Sequence, residues 1–325
     1  AHSRSTNYLE IDLEEAIAGA TPGATDPEAF RYFWLLFRAR AFASAKDAKE
    51  REGGKGQEDA FAALRELRGS LLDRILEGSH EYAKELGERL KGRVFEQVFP
   101  FFARGFIDHA QRGGATVTDA VDVTTHQSQP QTGSASLPTH QVFQGTLTSL
   151  YRLLFVLYAE ARDLLPVRER GGYFEHSLNR LKAEVAEKAG PDIEQVEARL
   201  SKAYSKTETT LYDRLSELFA AIDTGRPALN LPTYNGGLFL TDPADDDRTD
   251  EARHGRFLRD HRIPDYYLAC GLDLLARDED PKTKALVPID YKSLGVRQLG
   301  SIYEGLLEFR VRLAPEKMAV VKGKK

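Results

Sequence analysis

The chain has 325 residues, enough to bury one large core or two smaller ones. Hydrophobic residues make up 41% and charged residues 29%, the balance of a globular protein rather than a disordered or fibrous one. A net charge of -5 excludes a protein that holds nucleic acid by bulk charge and leaves room only for a local basic patch. Cys270 is the single cysteine, which excludes an internal disulfide and a cysteine-based zinc site. Ala1-His2-Ser3-Arg4-Ser5 does not read as the start of a signal peptide, and no apolar run reads as a membrane span, so the cytoplasm is the expected location and no membrane partner is expected.

In chain order, Thr6 to Leu13 alternates apolar and polar residues and predicts one strand, which must pair elsewhere in the chain or with a domain upstream. Asp26 is a plausible N-cap with Pro27 behind it, and Phe30, Phe33, Trp34, Phe37 and Ala41 then fall on one helical face. Lys46 to Gln57 is a charged, glycine-punctuated break. A helical tract follows from about Asp59 to Ala110, with Phe61, Leu64, Leu67, Leu71, Leu72, Ile75 and Leu76 as its first stripe. Gly78, Gly87, Gly92 and Pro100 are expected to divide it, because each weakens a helix interior. Arg112 to Pro138 has no helical period and reads as a long exposed loop with a short strand near Ala115 to Val123.

The clearest helix carries Leu147, Leu150, Leu154, Leu157, Tyr158, Ala161 and Leu165 on one face, with Pro166 as its stop. Helices are expected at about 174–188, 193–203 and 208–223. Leu231 to Phe239 reads as two extended pieces around an Asn-Gly turn. After an acidic loop, Asp242 to Asp250, helices are expected near 251–260 and from Pro264 through Leu275. A strand at 284–289, a helix at 293–313 and a strand-like piece at 318–322 follow. The expected architecture is mainly α, a multi-helix, spacer-like domain with a few short strands. Its organisation reads as a strand or tail of an upstream domain at 1–25, a helical subdomain at 26–111, a loop at 112–138 and a second helical subdomain at 139–325.

Chemistry is sparse. Asp290-Tyr291-Lys292 at a strand end is half of a metal-dependent nuclease site, which needs a second carboxylate on the same metal. The bland alternative, Asp290 as N-cap of the following helix, is the favoured one. The eight histidines follow no metal-ligand spacing, and His254 and His261 read as solvated. Gly113-Gly114, Gly171-Gly172 and Gly236-Gly237 lack the setting of a phosphate cradle. Arg152, Arg162, Arg168 and Arg170 flank the strongest helix, and Arg297, Arg310 and Arg312 lie on the last. Of these, Arg152, Arg168, Arg170 and Arg297 are candidates for DNA phosphate, against pairing with neighbours such as Glu160 and Asp163. Tyr234, Asn235, Tyr291 and Tyr303 are candidates for a domain interface.

Four segments, in this order, carry a resemblance: Phe30 to Phe42, Gly145 to Leu165, Tyr234-Asn235-Gly236-Gly237-Leu238-Phe239, and Asp290 to Phe309. Together they resemble the helical region of single-chain type IIG and type IIL restriction-modification enzymes, and of the large adenine-specific methylases of the BREX and DISARM defence systems. The resemblance covers roughly 30–325. It implies a helical spacer between a nuclease-like part and a methyltransferase that moves a methyl group from S-adenosylmethionine to adenine N6. The catalytic Asn-Pro-Pro-Tyr motif and the Phe-x-Gly-x-Gly cofactor loop of that family are not in this sequence. No catalytic, cofactor-binding or metal residue is therefore carried over. S-adenosylmethionine, and Mg in a nuclease part, are expected outside this chain, and DNA is the expected partner through the parent protein.

Overall fold

In a computed structural model, residues 71–118, 136–169, 172–234, 236–280 and 284–307 are described. The expected strands at 6–13 and 318–322 and the aromatic helix at 30–41 lie outside the described residues. The chain divides into two compact units, 1–86 and 87–325. Of the first, only 71–86 are described, as the start of helix α1 (Leu71–Arg93).

The fold is mainly helical, as expected, with two small two-stranded sheets among the described residues. Helix α1 runs through Gly78, Gly87 and Gly92 without a break, contrary to the expected division. The cost of a helical glycine is only about 1 kcal/mol. At Gly87 the bare backbone has a use, since a Cβ there would meet Gln298 Cβ at 3.2 Å. A five-residue π-helical segment, Val94–Val98, joins α1 to α2 (Phe99–Arg112). Pro100 falls in the first turn of α2, directly behind the π-helical segment.

Strand β1 (Thr116–Thr118) pairs in parallel with β2 (Ser136–Pro138), and α2 packs on α3 (Thr139–Ala161) within one unit. Pro138 adopts extended backbone at the N-cap of α3, so the helix begins at Thr139, eight residues before Leu147, the first residue of its expected stripe. It ends at Arg162, before Leu165, which is nonetheless buried. By length and composition α3 is apolar enough to cross a membrane, which the sequence reading did not allow for. It lies 72% buried inside the structure, the setting of a core helix.

Helices α4 (Leu178–Ala189), α5 (Val196–Ala203), α6 (Thr210–Thr224), α7 (Asp250–Asp260) and α8 (Asp265–Ala276) follow, near their expected places. Among the described residues of 231–239 the expected pair of extended pieces does not form a strand pair. Leu231 makes one antiparallel bridge to Arg226, and Gly237–Phe239 form a 3-10 turn instead, with Phe239 buried. Strand β3 (Arg277–Glu279), not expected, pairs antiparallel with β4 (Leu286–Pro288). Helix α9 (Val296–Leu307) closes the described chain.

The centre of the second unit is α8, which packs on α2, the π-helical segment, α4, α5 and α6. Glycines on both partners allow α2 and α8 to approach closely. A Cβ at Gly105 would sit 2.6 Å from Ile263 Cγ2, and one at Gly271 would collide with the ring of Phe102. Asp265, at the start of α8, accepts from the Leu211 amide at 2.8 Å and so ties down the first turn of α6.

Candidate functional site

Three of the four resembling segments meet on α3. Arg152, near its middle, is 3% exposed. Its Nε donates to the Leu238 carbonyl at 2.7 Å and its Nη2 to the Leu240 carbonyl at 2.9 Å. The guanidinium lies 5.5 and 5.9 Å from the ring centres of Phe219 and Phe239. Burial pushes its pKa down to about 10, opposed by Tyr212 and Asp223, so it stays charged at neutral pH. Arg152 thus fastens the 234–239 segment to α3.

At the C-terminal end of α3, Arg162 does the same for the 290–309 segment. Its Nη2 donates to the carbonyls of Lys292 (3.0 Å) and Leu294 (2.9 Å), and its guanidinium stands 4.9 Å from the Tyr158 ring centre. One face further along, Tyr151 and Tyr303 cross edge to face at 4.7 Å, and the Tyr151 hydroxyl donates to the Tyr303 carbonyl at 3.2 Å. Glu160 completes the set. Its buried carboxylate accepts from Tyr173 Oη (2.9 Å) and from the amides of Leu178 (2.8 Å) and Asn179 (2.7 Å), capping α4. Burial raises its pKa, and the Tyr173 hydrogen bond opposes that.

The predicted residues within the described ranges have defined places. Arg152 is removed from DNA contact by burial, a correction to the sequence reading: a side chain that satisfies backbone carbonyls inside a core does not reach phosphate. Arg168 is exposed and paired with Asp163 through two contacts, at 3.0 and 2.6 Å. Arg297 is exposed in the first turn of α9. Arg170 and Asn235 lie outside the described residues, as do Arg310 and Arg312. Tyr291 is 1% exposed, with its hydroxyl on the Leu275 carbonyl at 2.8 Å, an anchor inside the second unit. Tyr234 is half-buried and donates to the Leu164 carbonyl at 2.8 Å. The Asp290 carboxylate accepts from the amides of Lys292 (3.0 Å) and Ser293 (3.3 Å) and from Ser293 Oγ. It caps a turn that ends before α9 begins at Val296, so it is not the N-cap of that helix. Among the described residues no group of three or more His, Cys, Asp or Glu side chains is placed to hold a metal.

Sequence reading missed a groove of about 700 Å³ between the start of α2, the start of α5 and the outer face of α8. Pro100, Phe101, Val196 and Leu274 give it apolar walls. Two of its three arginines are paired with aspartates: Arg93 pairs with Asp278 and donates to the Arg277 carbonyl at 2.9 Å, while Arg277 pairs with Asp273 at 2.6 Å. Burial pushes Asp278 up, but Arg93 and Arg89 outweigh it and hold the carboxyl below its ordinary range. Cys270 also lines the groove, with its thiol pushed up to about 12 by burial, so it is no thiolate nucleophile at neutral pH. No short motif marks the groove, because its walls come from positions as far apart as Arg93 and Leu286.

Comparison of the chain with protein-family models, curated proteins and solved structures finds no match to any of them.

Proposed function

We propose that this chain is the helical, non-catalytic scaffold of an adenine-N6 DNA methylase from a restriction-modification or phage-defence system. It sets the distance and angle between nuclease-like, methylating and target-reading parts of a cytoplasmic parent protein. One observation carries the reading: segments 234–239 and 290–309 are both fastened to α3 by buried or half-buried arginine bonds to backbone carbonyls. A base must leave the duplex to be methylated, so the parts that grip DNA need a stiff frame between them. In this reading S-adenosylmethionine binds the parent's methyltransferase part, and DNA meets the chain only through the parent.

The reading frame on either side of Ala1 and Lys325 tests this first. A downstream Phe-x-Gly-x-Gly loop and Asn-Pro-Pro-Tyr motif are expected; a frame without them overturns the proposal. In that parent, Arg152→Met with Arg162→Met is expected to lower DNA methylation at least tenfold while S-adenosylmethionine affinity stays unchanged. Unaltered methylation would remove the scaffold role. Magnesium-dependent DNA cleavage by the chain, abolished by Asp290→Ala, would replace the proposal with a nuclease.

A further inference from the structure

Helix α7 is held by one deep anchor and a polar rim. Phe257 is its anchor: the ring packs 5.2 Å from Phe106 of α2 and fits over Gly145 of α3, where any Cβ would collide with it. Of its eleven residues only Ala252, Gly255, Phe257 and Leu258 are buried. A hydrogen bond from Tyr212 Oη to the Leu258 carbonyl, 2.8 Å, adds a clasp from α6.

Half-buried histidines stand at both ends of this seat. On the α3 side, His254 Nε2 meets Gln144 Oε1, and the ring faces Glu251 and Arg253 of its own helix and Arg152 of α3. On the α2 side, His109 Nδ1 accepts from the Arg262 amide at 3.5 Å. Around His109 stand Arg112, His261 and Arg262, with Asp108 paired to Arg112 and Asp213 of α6 paired to Arg262. His261 itself stacks on Phe257 at 4.5 Å and donates from Nδ1 to the Phe257 carbonyl at 3.1 Å. A proton on His109 Nδ1 would set two donors against each other, inside a group of cations. On His254 it would add charge to a half-desolvated ring beside Arg253 and Arg152, with Glu251 in opposition and Asp250 paired to Arg253.

We propose that α7 is an acid-released strap: protonation of His109 and His254, which close the two ends of its seat, frees the helix and uncovers the aromatic slot formed by Phe106 and Gly145. Burial holds both imidazoles below the usual 6.5, reinforced at His109 by His261, Arg262 and Arg112, and at His254 opposed by Glu251 and reinforced more weakly by Arg253 and Arg152. The sign follows. A folded-state histidine pKa below its unfolded value gives stability that is complete above pH 6.5 and is lost as the pH falls from 6.5 through the folded values. The strap is therefore closed at neutral pH and opens on acidification.

Hydrogen exchange on the full chain at pH 7.5 and 5.0, corrected for the intrinsic pH dependence of exchange, tests this. Amides of α7 are expected to exchange at least tenfold faster at pH 5.0 relative to those of α8. In the H109N/H254Q variant, whose neutral amides keep the acceptor and the donor, the ratio is expected to change less than twofold. Equal responses of α7 and α8 in the wild type, or a variant that responds like the wild type, overturn the proposal. Imidazole proton titration of the wild-type chain decides independently of whether the variant folds: two rings titrating below 6.5 support the strap, and values at or above 6.5 for His109 and His254 sink it.

Discussion

Helices α7 and α8 are neighbours in sequence, nearly equal in length, and opposite in how they are held. Eleven of the twelve residues of α8 are buried, against four of eleven in α7. The link between them, His261 to Pro264, is short, yet it passes from the edge of the core to its centre. Sequence periodicity sees the first helix better than the second. A helix with one apolar stripe advertises its face, whereas one apolar on all sides has no face to advertise. The difference also separates stability from adaptability: α8 is fixed by packing on five elements, and α7 by one aromatic key and polar contacts around it.

Mutations aimed at each seat sharpen that contrast. Phe102→Ala removes a fully buried ring that fills the space over Gly271 of α8, and is expected to cost about 3–5 kcal/mol of global stability in denaturant unfolding. A loss near zero would show that α8 is not the centre of the unit. Gly145→Ala forces a methyl group into the Phe257 ring and is expected to cost about 1–3 kcal/mol. Its effect on hydrogen exchange should fall on α7 and leave α8 protected; equal deprotection of both would show that the two helices are held alike. At the small end, Arg168→Ala removes an exposed ion pair whose arginine side chain is 80% accessible. It should change the melting free energy by less than about 0.5 kcal/mol, a control for the general tolerance of the surface.

Much of the helical layout was legible. The α3 stripe Leu147, Leu150, Leu154 and Leu157 is buried as its spacing requires. Pro264 marks the start of α8 because its fixed backbone suits a helix N-terminus. Failures came where a local rule met a tertiary partner. Gly87 looked like a breaker, but the approach of Gln298 gives its missing side chain a use. His254 and His261 looked solvated because charged residues surround them in sequence; packing on α3 and on Phe257 half-buries both. Leu238 and Phe239 looked extended, yet Arg152 captures the carbonyls of Leu238 and Leu240, 86 and 88 residues away. Nothing near either position in the chain announces that partnership.

What the sequence determined by itself is a mainly helical protein with no internal disulfide and no cysteine-based zinc site. Apolar spacing, proline positions and composition are local quantities, and they suffice for that. Which arginines face solvent, which histidines are shielded and where a groove opens were decided only by the tertiary structure. Burial and hydrogen bonding at those groups depend on atoms far apart in the chain, and the free energy of a charged side chain follows its surroundings rather than its neighbours in sequence.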